Sequence, residues 1–218
     1  MTLSYKTTEW NNKKVILGEG PINPEAPVKI LVGFHGAEST PENMLVHGNH
    51  LQLENTFMLF PEGPVDAGEG RWSWWTDGPK QKESVNSFLN FSSDMINMAE
   101  GHLNSEFEDI ETRVCLWGFS QGGAASLVYT LLGIHPLYKT ASVCGFLPET
   151  PERETKSDSS VPILGIFGTN DDMVPSFLAE HALEEMRKNG HNPTLRETSQ
   201  GHELSAENLM ELHDFFDS

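Results

Sequence analysis

The sequence predicts an α/β fold: a mostly parallel central sheet with helices on both faces. Two observations carry this. From residue 28 onward, apolar runs of strand length alternate with segments of helical length, and such alternation implies crossover connections and a sheet covered on both sides. No repeat, low-complexity tract or long linker divides the 218 residues, so residues 1–218 are expected to form a single domain able to bury a sizeable core.

Each element has a local reason. Residues 4–10 and 13–17 read as two strands joined at Asn11-Asn12, a turn signal. The Gly/Pro-rich stretch 18–27 is a loop, and Val28–Phe34 is a strongly apolar strand ending in His35-Gly36-Ala37. Pro41–Leu51 can form a short helix with Thr40 as N-cap and Pro41 in its first turn. Thr56–Phe60 is a strand stopped by Pro61; residues 61–80, with four glycines and Trp72, Trp74 and Trp75, read as one long loop. Apolar residues from Val85 to Leu103 recur at helical spacing. Val114–Trp117 is a strand and the segment from Gly122 to Leu132 a helix; strands over 140–147, 161–167 and 194–198 follow, with helices over 176–188 and 205–216, the last capped by Ser205 with Asn208 where a capping box prefers Glu. Residues 149–160 are polar and read as a surface loop.

Composition narrows the partners. A formal charge of −18 disfavours nucleic acid and anionic membrane surfaces, both polyanions. Cys115 and Cys144 each fall in an apolar run and read as free core thiols. No apolar run reaches the length needed to span a bilayer, so stable membrane insertion is not expected, and the N-terminal residues lack the apolar core of a signal peptide. A cytoplasmic location is the resulting expectation. His47 and His50 are spaced to share a helix face, but no third ligand accompanies them; no metal and no cofactor are expected.

The chemistry concentrates at Gly118-Phe119-Ser120-Gln121-Gly122. With a strand before it and a helix after it, this G-x-S-x-G reads as a nucleophile elbow, a sharp turn with the serine at its apex. In sheets of this kind ligands bind beyond the carboxyl ends of the strands. Ser120, Asp171 (with Asp172 beside it) and His202 each follow a predicted strand, in the order Ser…Asp…His. Ser120 would be the nucleophile, His202 the base that removes and returns its proton, and Asp171 the group that orients the imidazole. The oxyanion of the tetrahedral intermediate would be held by the backbone N–H groups of Gln121 and Ala37.

On these residues the chain resembles the phospholipase/carboxylesterase group of small α/β-hydrolases, which includes acyl-protein thioesterases. The resemblance rests on Gly118-Phe119-Ser120-Gln121-Gly122-Gly123-Ala124, Phe34-His35-Gly36, Trp74-Trp75, Cys144-Gly145-Phe146-Leu147-Pro148, Gly168-Thr169-Asn170-Asp171-Asp172-Met173-Val174-Pro175 and Gly201-His202-Glu203. It implies the α/β-hydrolase fold, favours Asp171 over Asp172, and implies a serine carboxylesterase acting on carboxylic or thio esters through an acyl-enzyme. The chain departs from the family in Ala37-Glu38-Ser39-Thr40, where glycines are common. The short 149–160 loop leaves no separate lid domain, which suits small or medium acyl esters. Trp72, Trp74, Trp75, Phe146, Leu147 and Met173 are the expected pocket residues. Competing readings are a same-fold hydrolase of lactones or peptides and a non-catalytic binding protein, which typically lacks a triad member.

Overall fold

The computed structural model describes residues 3–152 and 160–218; part of the polar loop expected over 149–160 therefore lies outside the described residues. The chain opens on the expected hairpin of β1 (Ser4–Trp10) and β2 (Lys13–Glu19), with Trp10 facing Lys13 across Asn11-Asn12. Those two residues have φ of 51° and 59°, the geometry of a two-residue type I′ turn, which asparagine tolerates and whose twist matches the strands.

The remaining elements are β3 (Val28–Phe34), α1 (Pro41–Gly48), β4 (Thr56–Pro61), β5 (Val65–Gly68), β6 (Arg71–Ser73), α2 (Gln81–Glu106), β7 (Thr112–Phe119), α3 (Gln121–Leu132), β8 (Lys139–Val143), β9 (Pro162–Gly168), α4 (Ser176–Lys188), β10 (Asn192–Thr198) and α5 (Ala206–Asp217). Eight strands form one sheet in the order β1-β2-β4-β3-β7-β8-β9-β10. Pairing is antiparallel at the β1–β2–β4 edge and parallel from β4 through β10.

Alternation along the strands sends side chains to both faces. Ile30, Val32 and Phe34 of β3 pack with Phe88 of α2 and Val128 of α3, while Leu31 turns to the other face with Met44 of α1 and Leu212 and Phe216 of α5. Helix α4 lies beside α3 on the first face, Leu183 and Met186 meeting Leu127 and Leu131. Helices thus cover both faces, as the α/β-hydrolase fold requires. Caps follow the sequence: Thr40 Oγ1 accepts from Asn43 N–H at 3.4 Å, and Ser205 and Asn208 close a reciprocal capping box, so Asn serves where Glu is usual.

Two expectations are corrected. Residues 61–80 are not one loop: β5 and β6 form a small hairpin, turning through Gly68, Glu69 and Gly70, all at positive φ. Strands of four and three residues are too short to show a period in the sequence. The strand expected over 140–147 ends at Val143, because Cys144 has φ 50° and leaves the ladder. The apolar residues beyond it, Phe146 and Leu147, pack against the core edge instead.

Candidate active site

The carboxyl ends of β3, β7, β9 and β10 deliver His35–Ala37, Ser120, Asp171 and His202 to one edge of the sheet. Ser120 sits between β7 and α3 with φ 56° and ψ −122°, a conformation costly for a residue with a side chain and sustained only by its surroundings. The neighbouring glycines make the turn possible. A Cβ at Gly118 would lie 2.1 Å from Gly122 O, and one at Gly122 would lie 1.9 Å from Phe34 O.

His202 links the other two groups. Its Nε2 is 2.9 Å from Ser120 Oγ and its Nδ1 is 2.8 Å from Asp171 Oδ2. The second carboxylate oxygen of Asp171 accepts from Met173 N–H at 2.9 Å and Val174 N–H at 2.8 Å. Burial pushes the Asp171 carboxyl upward, but the hydrogen bonds from Val174, His202 and Met173 outweigh it and hold the group below its ordinary range. An ionised Asp171 fixes the ring with Nδ1–H toward the carboxylate and Nε2 ready to accept the serine proton. Asp172 is exposed, so Asp171 is the carboxylate that meets the ring. Phe119 packs against the imidazole at 4.9 Å between ring centroids.

A cleft of about 670 Å³ opens over Ser120 and His202, with Gly36 and Ala37 on its wall. The loop carrying Ala37 runs against the elbow: a Cβ at Gly36 would lie 3.7 Å from Ser120 Cβ. Gln121 opens α3, and an N–H in a helix's first turn has no acceptor within its own helix. His35 is buried and holds the loop from beneath. Its Nδ1–H donates to Gly36 O at 2.7 Å, and its Nε2 accepts from Gly63 N–H at 3.2 Å. Burial lowers its pKa to about 4, so the ring is neutral at pH 7.

Of the six expected pocket residues, only Met173 lines this cleft. Trp74 and Trp75 are fully buried. Trp74 N–H donates to Gln121 Oε1, Trp74 Nε1–H to His35 O, and Gln121 Nε2–H to Trp75 O, at 2.9, 2.7 and 3.2 Å. The tryptophan segment therefore braces the elbow and the Ala37 loop together and is no part of the cleft wall. Trp72 is half-buried, its ring beneath Lys13 Nζ at 3.5 Å, and its backbone pairs with Ser39. Phe146 and Leu147 face the core. For Trp74, Trp75, Phe146 and Leu147 the reason is common: these apolar groups near strand ends found more apolar area to bury against the core than at a solvent-open cleft.

Sequence reasoning missed Asn43 and His47, which the first helix presents to the cleft; their i, i+4 spacing just after the Ala37 loop was the available signal. It also missed the company Cys144 keeps. The thiol, an Asp171 oxygen and a His202 nitrogen lie within 4.8 Å of one another. As a metal centre this trio is a poor fit, because burial and the Asp171 charge push the thiol up to about 12 and the other two groups already hydrogen-bond each other.

Fold and site together define an α/β-hydrolase with a serine, histidine and aspartate in one hydrogen-bonded chain. The sequence profile of the phospholipase/carboxylesterase family matches residues 19–218, and the protein belongs to that family. Among solved structures it is similar to SOBER1 of Arabidopsis thaliana (24% identity, 87% of this chain and 97% of that one, TM-score 0.71). It is also similar to a carboxylesterase from Mesorhizobium loti (12% identity, 96% and 98%, TM-score 0.77). At these identities the likeness shows the fold. A curated relative, the bifunctional acetylxylan esterase/xylanase XynS20E of Neocallimastix patriciarum, is 25% identical over 183 residues; the match takes in 80% of this chain and 24% of that protein's length. Among the described residues no helix is long and apolar enough to cross a membrane.

Proposed function

We propose that this hydrolase is a serine carboxylesterase that cleaves small or medium carboxylic or thio esters through an acyl-enzyme on Ser120. The observation that carries the reading is the unbroken chain Asp171–His202–Ser120 at a strained elbow beneath an open cleft. His202 Nε2 takes the Ser120 proton as Oγ attacks the ester carbon. The negative charge that collects on the carbonyl oxygen would be met by the N–H groups of Gln121 and Ala37, donors from the helix start and the loop beside the elbow. Asp171 holds the tautomer and stabilises the imidazolium. The ring then returns the proton to the leaving alcohol or thiol, and water repeats the sequence to free the acid.

A panel of p-nitrophenyl esters of graded acyl length tests this. Ser120→Ala and His202→Ala should each cost about three or more decades in kcat. Near-native turnover by Ser120→Ala would sink the mechanism. Asp171→Asn should cost far more than Asp172→Asn; the reverse order would reassign the acid.

A further inference from the structure

We propose that this cleft selects esters of small hydroxylated alcohols, of the polyol or sugar type, through a polar wall formed by Glu38, Ser39, Asn43 and His47. The inference rests on the serine-esterase reading above and names its substrate class. Those four side chains share the cleft with Ser120 and His202, and its larger apolar groups are Met44, Phe119 and Met173. Among the described residues the aromatic segment that could have walled an acyl tunnel is buried as a brace, so a long acyl chain gains no enclosed apolar channel here. A short acyl group does not need one.

The polar wall is built and not merely exposed. Ser39 is pinned on both sides by backbone hydrogen bonds to Trp72, at 3.0 and 2.8 Å. Asn43 Nδ2–H donates to Ser39 Oγ at 3.0 Å, which orients the amide and leaves its oxygen to accept a hydroxyl. Glu38 is held at φ 50° with its N–H on Ser73 Oγ at 3.0 Å. Its carboxylate stands 3.7 Å from the Arg71 guanidinium, and Glu69 takes the same guanidinium at 3.1 Å. Two carboxylates around Arg71 remove it as an anchor for an anionic head group, and Glu38 itself repels one. Burial lowers the His47 pKa from its ordinary value, so a neutral ring at pH 7 offers one donor and one acceptor. A carboxylate, an amide oxygen, a hydroxyl and an imidazole give a mixed donor and acceptor set that matches vicinal hydroxyls and gives a hydrocarbon alcohol nothing to pair with.

The test uses a matched pair with one acyl group and one carbon skeleton: glycerol 1-monoacetate and n-propyl acetate. The intact protein should prefer the glycerol ester by about tenfold or more in kcat/KM, since a site built to bond hydroxyls rejects an analogue lacking them. Asn43→Leu and Glu38→Leu should each cut that preference by about fivefold, in line with the loss of one hydrogen bond. Glu38 is exposed, so its variant keeps the test open even if Asn43→Leu folds poorly. Equal rates on the two esters, preference for propyl acetate, or a preference untouched in Glu38→Leu would overturn the proposal while Ser120→Ala still abolished both activities. Undiminished hydrolysis by Ser120→Ala would overturn the serine mechanism, and this proposal with it.

Discussion

Acidification should weaken the fold through His35 before it touches the carboxylates. The ring donates from Nδ1 to Gly36 O and accepts at Nε2 from Gly63 N–H. A second proton must go onto Nε2, where a donor already points, and the charge would have no water around it. Burial accordingly brings the pKa from 6.5 to about 4. Below 6.5 the unfolded chain binds a proton at this residue, and the folded chain does so only near 4. Between those values the unfolded state carries more protons, so stability falls as pH falls. At about 1.4 kcal/mol per pKa unit, the loss is about 3 kcal/mol by pH 4, a large share of the roughly 5–15 kcal/mol that holds a typical domain. Asp171 has the opposite place on the scale. Its depressed pKa contributes stability above the ordinary carboxylate value, lost only as pH falls through the lower folded value. Urea unfolding of the native protein and of His35→Asn at intervals from pH 7 to pH 4 separates the two. The variant starts less stable, having lost buried hydrogen bonds, but its stability should fall by about 3 kcal/mol less over that span. Parallel curves would refute the reasoning, as would an NMR titration placing the folded His35 near 6.5.

Three other predictions follow from the same site. Gly122→Ala should cost about 3 kcal/mol or prevent folding, because its methyl would lie 1.9 Å from Phe34 O and 2.5 Å from His35 O, backbone atoms that cannot step aside; a melting curve within a degree or two of native would count against the elbow's packing. Gln121→Leu should destabilise by about 2–4 kcal/mol, since it leaves the buried Trp74 N–H and Trp75 C=O without partners, and thermal denaturation measures it. Cys115 and Cys144 are buried, with both thiols pushed up to about 12 by burial; mass spectrometry should find neither alkylated by iodoacetamide at pH 7.5 in the folded protein and both in urea, and rapid labelling of either would contradict that environment.

What the sequence disclosed and what it hid divide along a physical line. Ser120 and Asp171 were legible because each stands one short step past an apolar strand, and His202 because it follows the short polar edge strand β10; a parallel sheet brings all its carboxyl ends to one edge whatever the loops do. Their mutual distances follow from strand order, which alternation and crossover handedness constrain. The cleft wall obeys no such rule. Whether Trp74 faces solvent or the core depends on a hairpin of nine residues whose strands are too short to show a period, and on Gln121, forty-seven positions away, holding its backbone. An indole beside an active site reads the same in sequence whether it lines a pocket or supports one. The difference is decided by whether the loop behind it has its own unmet hydrogen bonds. Here it does: His35 O and the Gln121 amide both need partners inside the core, and the tryptophan segment supplies them. Fixing the Ala37 loop therefore placed Trp74 and Trp75 behind the site, and left the cleft to Glu38, Ser39, Asn43 and His47 on one side and Met44, Phe119 and Met173 as its apolar part.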